Sequence, residues 1–407
     1  MFHAKAQRRK EEWVDMSATP LSGLRVVEFT HMIMGPSIGA ILSGLGAEVI
    51  HVEPIGGDKT RTLIGSGAGF FATFNRGKSS ICLNLKSKGG IDVAKRLIDS
   101  ADIMVENYRP GAIDSLGLDY LSLSATNPRL IYCSAKGFLP GPYEDRTALD
   151  EVAQMMGGLA YMTGPPGQPL RAGASVIDIT GGMFGVIAIQ AALEERHRTG
   201  TGQKVQSALF ETTVYLVAQH MAQMAVTGKA AAPMPARLSV WAIYDVFETK
   251  DDPIFIGVVT DSLWQKFCAL FELNDLWNDQ SLRDNNARVL ARDRIIPQIR
   301  AMVSAYSCAE IIAKLEGSGL PFAPIARPED LFEDPHLQAS GGLERVILPD
   351  GRETALPLLP ISMAGKRPGN APHIPITGAD GRALLIKLGY DDEAITALIA
   401  DGAIEAP

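Results

Sequence analysis

The chain of 407 residues has few cysteines and no excess of positive charge. Its four cysteines lie far apart without a CxxC pair, so we predict neither a disulfide framework nor a metal site. The formal net charge of −8 argues against nucleic acid or an anionic membrane as partners. The sequence is expected to have no apolar run of the roughly 18 residues that a membrane span needs. Because its start is too polar for a secretory signal, we expect a cytoplasmic protein.

Two sequence patterns with known chemistry are incomplete. The turn from His31 to Pro36 lacks the GxGxxG glycines that let a backbone approach a pyrophosphate, so NAD binding is not expected. Ser37 lies in a G-x-S-x-G pattern, which is typical of esterases. This pattern follows the first predicted strand rather than a later one, and the histidines lie in no recognisable partner setting. A hydrolase that uses Ser37 is therefore a disfavoured alternative.

Strand and helix patterns alternate through the first half of the chain. Segments 24–29 and 48–53 are predicted strands around a helix at 36–45, and the alternation continues to residue 227. This alternation predicts an α/β fold with a parallel, doubly wound sheet. Four longer segments are each predicted to be helical throughout: 148–163, 178–197, 286–304 and 376–401.

The length of the chain predicts two domains. The small domain is expected to be α+β and to begin with a hairpin around Lys250. The predicted divisions are a disordered leader at 1–16, a large α/β domain at 17–228, a linker at 229–239, the small domain at 240–340 and a return segment at 341–407.

Asp178 opens a nearly uncharged helix pattern that continues to Ile189. A carboxylate in this position either caps the helix or reacts. Unpaired amides and the helix dipole stabilise negative charge at a helix N-terminus. We therefore expect Asp178 to be ionised at neutral pH and able to act as a nucleophile.

Basic and amide side chains recur in three predicted loops. The second and third loops follow strands, as does His31, so they fall at strand C-terminal ends, where doubly wound folds bind ligands. The first loop precedes its strand, and simple topology does not explain its inclusion. In an acidic protein these loops indicate an anionic ligand. The three loops are Asn75-Arg76-Gly77-Lys78, Asn107-Tyr108-Arg109 and Lys136-Gly137-Phe138.

Five segments, in order along the chain, resemble the class III CoA-transferases. This family includes formyl-CoA and carnitine CoA-transferases and the α-methylacyl-CoA racemases. The likeness extends from about residue 20 to the C-terminus. The segments are LSGLRVVE (21–28), LGAEVI (45–50), VENYRPG (105–111), RTGTGQ (198–203) and EDPHL (333–337).

The resemblance implies a Rossmann-like large domain built from both chain ends, and a homodimer of two interlocked subunits. It implies that Asp178 attacks an acyl-CoA thioester and then carries CoA as an aspartyl-CoA thioester until a small carboxylic acid accepts it. CoA is then a substrate, and no cofactor is bound permanently. The three loops above match family segments that contact CoA. The residues that match the loop beside the thioester are His31, Met32, Ile33 and Met34.

Departures from the family pattern narrow the expected activity. Leu149 stands where the racemases have a histidine of their proton-transfer pair, so an acyl-CoA racemase or epimerase is the alternative, and Asp150 is either structural or steers substrate. Ile33 replaces a glutamine of the formyl-CoA transferases, and no tetraglycine segment occurs, which disfavours oxalate and formate. Arg146 and Arg171 are candidates for holding the second carboxylate of a dicarboxylate such as succinate. A CoA-binding protein without turnover is the hypothesis from another class.

Overall fold

The computed structural model describes residues 19–237, 239–369 and 372–406. The chain divides into two compact units, one of which contains the residues up to Ala231 and those from Pro335 onward, and the other Ala232–Asp334. The second unit overlaps the small domain predicted at 240–340. The leader predicted at 1–16 lies outside the described residues.

Twelve strands lie within the described residues. They are β1 (Arg25–Phe29), β2 (Glu48–Glu53), β3 (Ser79–Leu83), β4 (Ile103–Glu106), β5 (Ile131–Lys136), β6 (Lys204–Ala208), β7 (Ile243–Phe247), β8 (Ile254–Val258), β9 (Phe322–Pro324), β10 (Leu343–Ile347), β11 (Glu353–Pro357) and β12 (Ile404–Glu405).

The same residues contain sixteen α-helices. They are α1 (Met34–Gly44), α2 (Phe70–Asn75), α3 (Lys88–Asp99), α4 (Tyr120–Ser124), α5 (Asp150–Met156), α6 (Leu159–Thr163), α7 (Val176–Thr199), α8 (Leu209–Thr227), α9 (Asp261–Leu270), α10 (Asn274–Asn278), α11 (Asn285–Leu290), α12 (Arg292–Val303), α13 (Cys308–Leu315), α14 (Pro335–Ala339), α15 (Gly381–Lys387) and α16 (Asp392–Ala400).

A seven-stranded sheet forms the framework of the large unit. Its strand order is β12-β3-β2-β1-β4-β5-β6. Six strands are parallel, and β12 adds an antiparallel edge beside β3. The order of the parallel strands is that of Rossmann-type sheets. In these sheets the order in which strands are added reverses between β1 and β4, and ligands bind at that point. The predicted α/β class with a parallel, doubly wound sheet is confirmed.

Helices cover both faces of this sheet. Alternate residues of a strand point to opposite faces, so neighbouring residues pack into different clusters. Val26 packs into the cluster formed with α1 and α7, and its neighbour Val27 packs into the cluster formed with α3, α15 and α16. Both side chains are fully buried. Two-sided burial explains why the strands read as apolar runs, and it makes a charged strand residue such as Glu28 informative.

Helices α1 and α7 approach closely through glycine. A Cβ on Gly182 would lie 2.0 Å from Ser37 Oγ, and one on Gly185 would lie 2.6 Å from Ile38 Cδ1. A side chain at either position would require these neighbours to shift. The glycines in the sequence of α7 therefore set the distance between the two helices that meet beside β1.

Three segments predicted as single helices are interrupted. The break between α5 and α6 contains Gly158, with φ 87°, and the break between α15 and α16 contains Gly389, with φ 86°. Both backbones are in the left-handed region that glycine adopts without strain. The break between α11 and α12 falls at Ala291. The prediction of continuous helices in these segments was wrong because the apolar periodicity continues across each turn.

Helix α7 is longer than predicted, with 24 residues from Val176 to Thr199. By length and composition alone it is able to span a membrane, so our expectation that no segment reaches that length was wrong. Residues Ile177, Val186 and Ile189 pack against the sheet in the cluster that includes α1. In this fold α7 is therefore a core helix of the large unit.

The small unit contains an antiparallel sheet of order β7-β8-β9. The predicted hairpin is confirmed, since Ile243 pairs with Val258 and Phe247 with Ile254. Its core includes Trp264 and Phe267 of α9. The third strand, β9, was not predicted.

Candidate active site

A cavity of about 380 Å³ opens at the C-terminal ends of β1, β4 and β5. The loops after β1 and β4 are joined there, because His31 N donates to Asn107 Oδ1 at 3.0 Å and Asn107 Nδ2 donates to His31 O at 2.8 Å. The cavity therefore lies where the strand order reverses. Its walls are formed by His31, Met32, Ile33, Met34, Ser66, Phe70, Asn107, Ala135, Lys136, Gly137, Ala148, Leu149, Asp150, Glu151, Arg171, Ser175, Asp178 and Leu209.

The structure brings eight of the fifteen predicted site residues to this cavity. They are His31, Met32, Ile33, Met34, Asn107, Lys136, Gly137 and Asp178. Lys136 also lines a neighbouring cavity of about 240 Å³, together with Phe138. In the described part of the chain, the larger cavity is not lined by Asn75, Arg76, Gly77, Lys78, Tyr108, Arg109 or Phe138.

Met32 has a left-handed backbone, with φ 63°, directly before α1. This conformation costs on the order of 1 kcal/mol for a residue with a side chain, and it persists where neighbours hold it. The two hydrogen bonds between His31 and Asn107 hold the loop on one side, and α1 begins at Met34 on the other. The loop that forms this wall is thus locally strained.

Two carboxylates meet at the N-terminus of α7, and only one of them caps it. Asp150 Oδ2 accepts from Ile177 N at 2.8 Å and from Asp178 N at 3.1 Å. Its other oxygen accepts from Gln154 Nε2. Within residues 19–237, 239–369 and 372–406, the Asp178 carboxylate makes no hydrogen bond. Asp150, which the sequence analysis left between structure and substrate steering, therefore caps α7, and the side chain of Asp178 is left unpaired.

The ionisation of Asp178 differs from our expectation. Burial, followed by repulsion from Asp150 and Glu151, raises the pKa of Asp178 to about 7, while Arg171 opposes the shift. We expected the helix amides to keep this carboxylate ionised. That expectation was wrong because Ile177 N and Asp178 N, two of the first-turn amides, donate to Asp150 instead. At neutral pH Asp178 is near its midpoint, because the cavity stabilises the charge of this carboxylate poorly.

Arg171 is the cation beside these acids. Its Nη1 lies 2.7 Å from Glu151 Oε1 and 3.7 Å from Asp150 Oδ1. Together with Asp178, these side chains place three carboxylates and one guanidinium on one wall of the cavity. We call Asp150, Glu151 and Asp178 the cavity acids.

Lys78 is fully buried and saturated with partners. Its Nζ donates to Glu28 Oε1 at 2.6 Å, to Pro36 O at 2.9 Å and to Asn75 Oδ1 at 3.0 Å. His51 Nδ1 lies 2.7 Å from the same Glu28 oxygen. An ion pair between Lys78 and a CoA phosphate would require the ammonium to leave Glu28.

Asp58 completes this second group of charges. Burial alone raises the pKa of Asp58, but His51, 3.6 Å away, and the hydrogen bonds from Thr60 outweigh it and lower the pKa to about 2. In Glu28, Lys78 and His51 likewise outweigh burial and lower the pKa. We call Glu28, His51, Asp58 and Lys78 the buried ion cluster.

The remaining predicted cations differ in exposure and in their hydrogen-bond partners. Lys136 Nζ binds Glu106 at 2.8 Å and donates to Tyr108 O at 2.8 Å, whereas Arg109 is exposed. The side chain of Arg76 is buried and donates to Pro357 O. Arg109 therefore reaches solvent more readily than the other predicted cations.

Two alternative activities depend on residues whose environment is now defined. Ser37 is buried inside α1 and donates to Met34 O at 2.8 Å, so its hydroxyl faces the helix instead of a cavity. Leu149 lines the cavity with an aliphatic side chain that cannot transfer a proton.

Sequence reasoning missed Glu28 and His51 and did not assign the cap to Asp150. Glu28 and His51 are ionisable residues between apolar residues of β1 and β2, and this was the available signal. A fully buried charge requires a partner. Asp150 gave no local signal for the cap, since the amides it binds are 27 and 28 residues away.

Comparison with known proteins identifies the family. The profile of CoA-transferase family III matches residues 21–381. The chain belongs to CoA-transferase family III. It is 32% identical to the succinyl-CoA:glutarate CoA-transferase of Mus musculus over 96% of this chain and 91% of the relative. It is 34% identical to the acetyl-CoA:oxalate CoA-transferase of Acetobacter aceti over 88% of this chain and 94% of that protein.

A solved structure has the same fold. The CaiB/BaiF family protein from Brucella suis superposes with a TM-score of 0.80 at 34% identity, covering 91% of this chain and all of that one. The family III protein described here is therefore an enzyme of the CoA-transferase class, and the resemblance stated from sequence is confirmed. CoA-transferases act on CoA thioesters and need no metal.

Proposed function

We propose that this CoA-transferase moves CoA from an acyl-CoA to a free carboxylic acid, with Asp178 as the nucleophile. The observation that carries the proposal is the unpaired Asp178 carboxylate in the wall of a cavity at the switch point of the sheet. A carboxylate needs no general base to attack a thioester, because its ionised form is already nucleophilic.

The reaction proceeds in two halves. An Asp178 oxygen attacks the thioester carbonyl carbon, the C–S bond breaks, and CoA leaves as a thiolate, so that the acyl group and Asp178 form a mixed anhydride. The thiolate then attacks the Asp178 carbonyl carbon and expels the donor acid as a carboxylate, which leaves an aspartyl-CoA thioester. The acceptor carboxylate reverses these two steps, forms its own CoA thioester and regenerates Asp178.

The geometry also limits the oxyanion contacts. The start of α7 is a potential source of amide donors for the anionic intermediates, but Ile177 N and Asp178 N donate to Asp150. Those two donors are unavailable while Asp150 caps the helix. The intermediates therefore need donors from another wall of the cavity, and the strained loop His31–Met34 forms that wall.

We propose that CoA binds along the loops named from sequence. His31 to Met34 flank the thioester, and the other contacts come from Asn75 to Lys78, Asn107 to Arg109 and Lys136 to Phe138. Exposure of Arg109 supports a phosphate contact there, whereas burial of Lys78 favours contact through the backbone of its segment. No cofactor is held permanently in this proposal.

We propose a dicarboxylate as one of the acids. Several relatives are named for dicarboxylates, among them the succinyl-CoA:glutarate enzyme of Mus musculus and the succinyl-CoA:mesaconate enzyme of Haloarcula marismortui. The relatives also include an acetyl-CoA:oxalate enzyme. Ile33 and the lack of a tetraglycine segment nevertheless led us to disfavour oxalate. Racemisation is the alternative, and Leu149 argues against it.

We propose a cytoplasmic, interlocked homodimer. Four buried free cysteines support a reducing compartment. Apolar side chains on the outer sides of α7 and α8 support a second subunit, because Ile187 is 59% exposed, Tyr215 67% and Val226 85%. Light scattering of the purified protein tests the assembly, and a monomer would contradict it.

The nucleophile is tested by trapping. Acyl-CoA is added without acceptor, the mixture is treated with hydroxylamine or borohydride, and peptides are analysed by mass spectrometry. We expect modification of Asp178 and its loss in Asp178→Asn. Deuterium incorporation at the α-carbon without an acceptor would instead support racemisation. Tight CoA binding without acyl exchange to any acid would support a non-catalytic binder.

A further inference from the structure

Arg171 is the cation of the cavity that remains available to a substrate. Lys136 is bound to Glu106 and to a backbone carbonyl. Burial lowers the pKa of His31 and so disfavours the charged form of its imidazole. Among the described residues that line the cavity, Arg171 is the one arginine, and its side chain is 33% exposed.

The guanidinium of Arg171 makes its ion contacts through one nitrogen. Both of its ion contacts, to Glu151 and to Asp150, are made by Nη1. For Nη2 and Nε, no hydrogen bond occurs within the described ranges. A guanidinium presents five N–H donors in a planar fork that matches a carboxylate. The Nη2–Nε edge can therefore take a second carboxylate without loss of the contact to Glu151.

The charge of the wall changes during the proposed reaction. With all three cavity acids ionised, one arginine leaves a net charge of −2, which repels an anionic acceptor. Formation of the aspartyl-CoA thioester removes the charge of Asp178 and leaves −1. An acid that carries a second carboxylate is then bound more favourably, and Glu151 is the remaining exposed acid that opposes it, with a side chain 52% exposed.

We propose that Arg171 binds the distal carboxylate of a dicarboxylate acceptor through its Nη2–Nε edge, and that Glu151 weakens this binding. The inference rests on the proposed function and adds to it the residue that selects the acceptor. Asp150 is buried in the cap of α7, and its Oδ1 lies 3.7 Å from the guanidinium.

Arg146 provides a matched control. It was the other candidate for a second carboxylate, but it is exposed, and its guanidinium carbon lies 5.1 Å from the centre of the Tyr143 ring. In the described structure it does not line the cavity. Loss of its charge therefore tests a general electrostatic effect without touching the cavity wall.

The test compares diacids with their monoamides, which keep the reacting carboxylate and lose the distal charge. Straight-chain diacids of about two to six carbons are assayed against succinyl-CoA and acetyl-CoA. In Arg171→Gln we expect the ratio of kcat/KM for diacid over monoamide to fall by about ten- to hundredfold, which corresponds to one charge-assisted contact. In Glu151→Gln the ratio should rise several-fold through a lower KM. In Arg146→Gln it should stay unchanged.

Equal losses for diacid and monoamide in Arg171→Gln would overturn the inference, as would an absence of diacid preference in the unmodified enzyme. Labelling of Asp178 by acyl-CoA alone is followed in the same preparations. If Asp178 is labelled and the ratios do not move, only the role of Arg171 and Glu151 fails. If Asp178 is not labelled, the proposed function fails first and the inference fails with it.

Discussion

The large unit contains two groups of acids, and they differ in how their charge is compensated. In the buried ion cluster, Lys78 and His51 neutralise Glu28 and Asp58, whose pKa values are lowered. Among the cavity acids, one arginine faces three carboxylates, and the pKa of Asp178 is raised to about 7. The acids of the buried ion cluster are buried and paired with cations. Asp178, the candidate reactive group, is partly buried and has no partner among the described residues. A perturbed acid is informative for function when its compensation is incomplete.

The largest expected effect comes from removing the uncompensated acid. Asp178→Asn should lower the exchange of CoA between acyl-CoA and free acid by on the order of 10³-fold or more, because the nucleophile is lost. The measurement is isotope exchange between acyl-CoA and its free acid. A variant with more than a tenth of the original rate would show that Asp178 is not the nucleophile.

Breaking the compensated group should unfold the protein rather than impair one chemical step. Lys78→Met leaves Glu28 charged and buried, so we expect the free energy of unfolding to fall by about 3–5 kcal/mol in urea titrations. Lys387→Met serves as the control, since this exposed ammonium lies 3.4 Å from Glu48 and its loss should change stability by at most about 1 kcal/mol. Equal stabilities of the two variants would remove the contrast between the groups.

The two groups should also respond to pH with opposite sign. The folded pKa of Asp178, about 7, lies above its ordinary value of 3.8, so the carboxyl destabilises the fold increasingly as pH rises from about 4 to 7. The folded pKa of Asp58, about 2, lies below 3.8, so its stabilisation is present above about pH 4 and is lost towards pH 2.

At pH 8, Asp178→Asn should therefore raise the free energy of unfolding, and Asp58→Asn should lower it, each by about 1–3 kcal/mol. At pH 4 the gain in Asp178→Asn should disappear. Urea titrations at the two pH values measure both changes. Destabilisation by Asp178→Asn at pH 8 would mean that this carboxylate is paired after all.

The smallest effect concerns the neighbour of the nucleophile. Attack requires ionised Asp178, so kcat/KM should fall with decreasing pH below about 7. Asp150→Asn keeps an oxygen for the amides of α7 and removes one negative charge. The acid limb of the profile should then move to lower pH by less than about one unit. If the acid limb of the kcat/KM profile does not move in Asp150→Asn, a group other than Asp178 causes this limb.

Local patterns predicted much of the fold, because β1 is mostly apolar and the apolar helix α7 lies between Ser175 and Gly200. The patterns failed where pairing is distant or where a turn interrupts a periodic helix. Strand β12 consists of two residues, and its partner Leu83 lies more than 300 positions earlier in the chain. At the site, the position of Asp178 was predictable, but its pKa was not. The competing acid, Asp150, is far from it in sequence and adjacent only in the fold.

The glycine contact between α1 and α7 has a consequence for altering the range of acids accepted. The first helix begins with the loop that forms one wall of the cavity, and α7 begins with the opposite wall. A methyl group added at Gly182 meets Ser37 inside the helix pair, so it would widen the gap from behind. Laboratory evolution towards bulkier substrates thus has a mutational target in the protein interior that changes none of the residues lining the cavity.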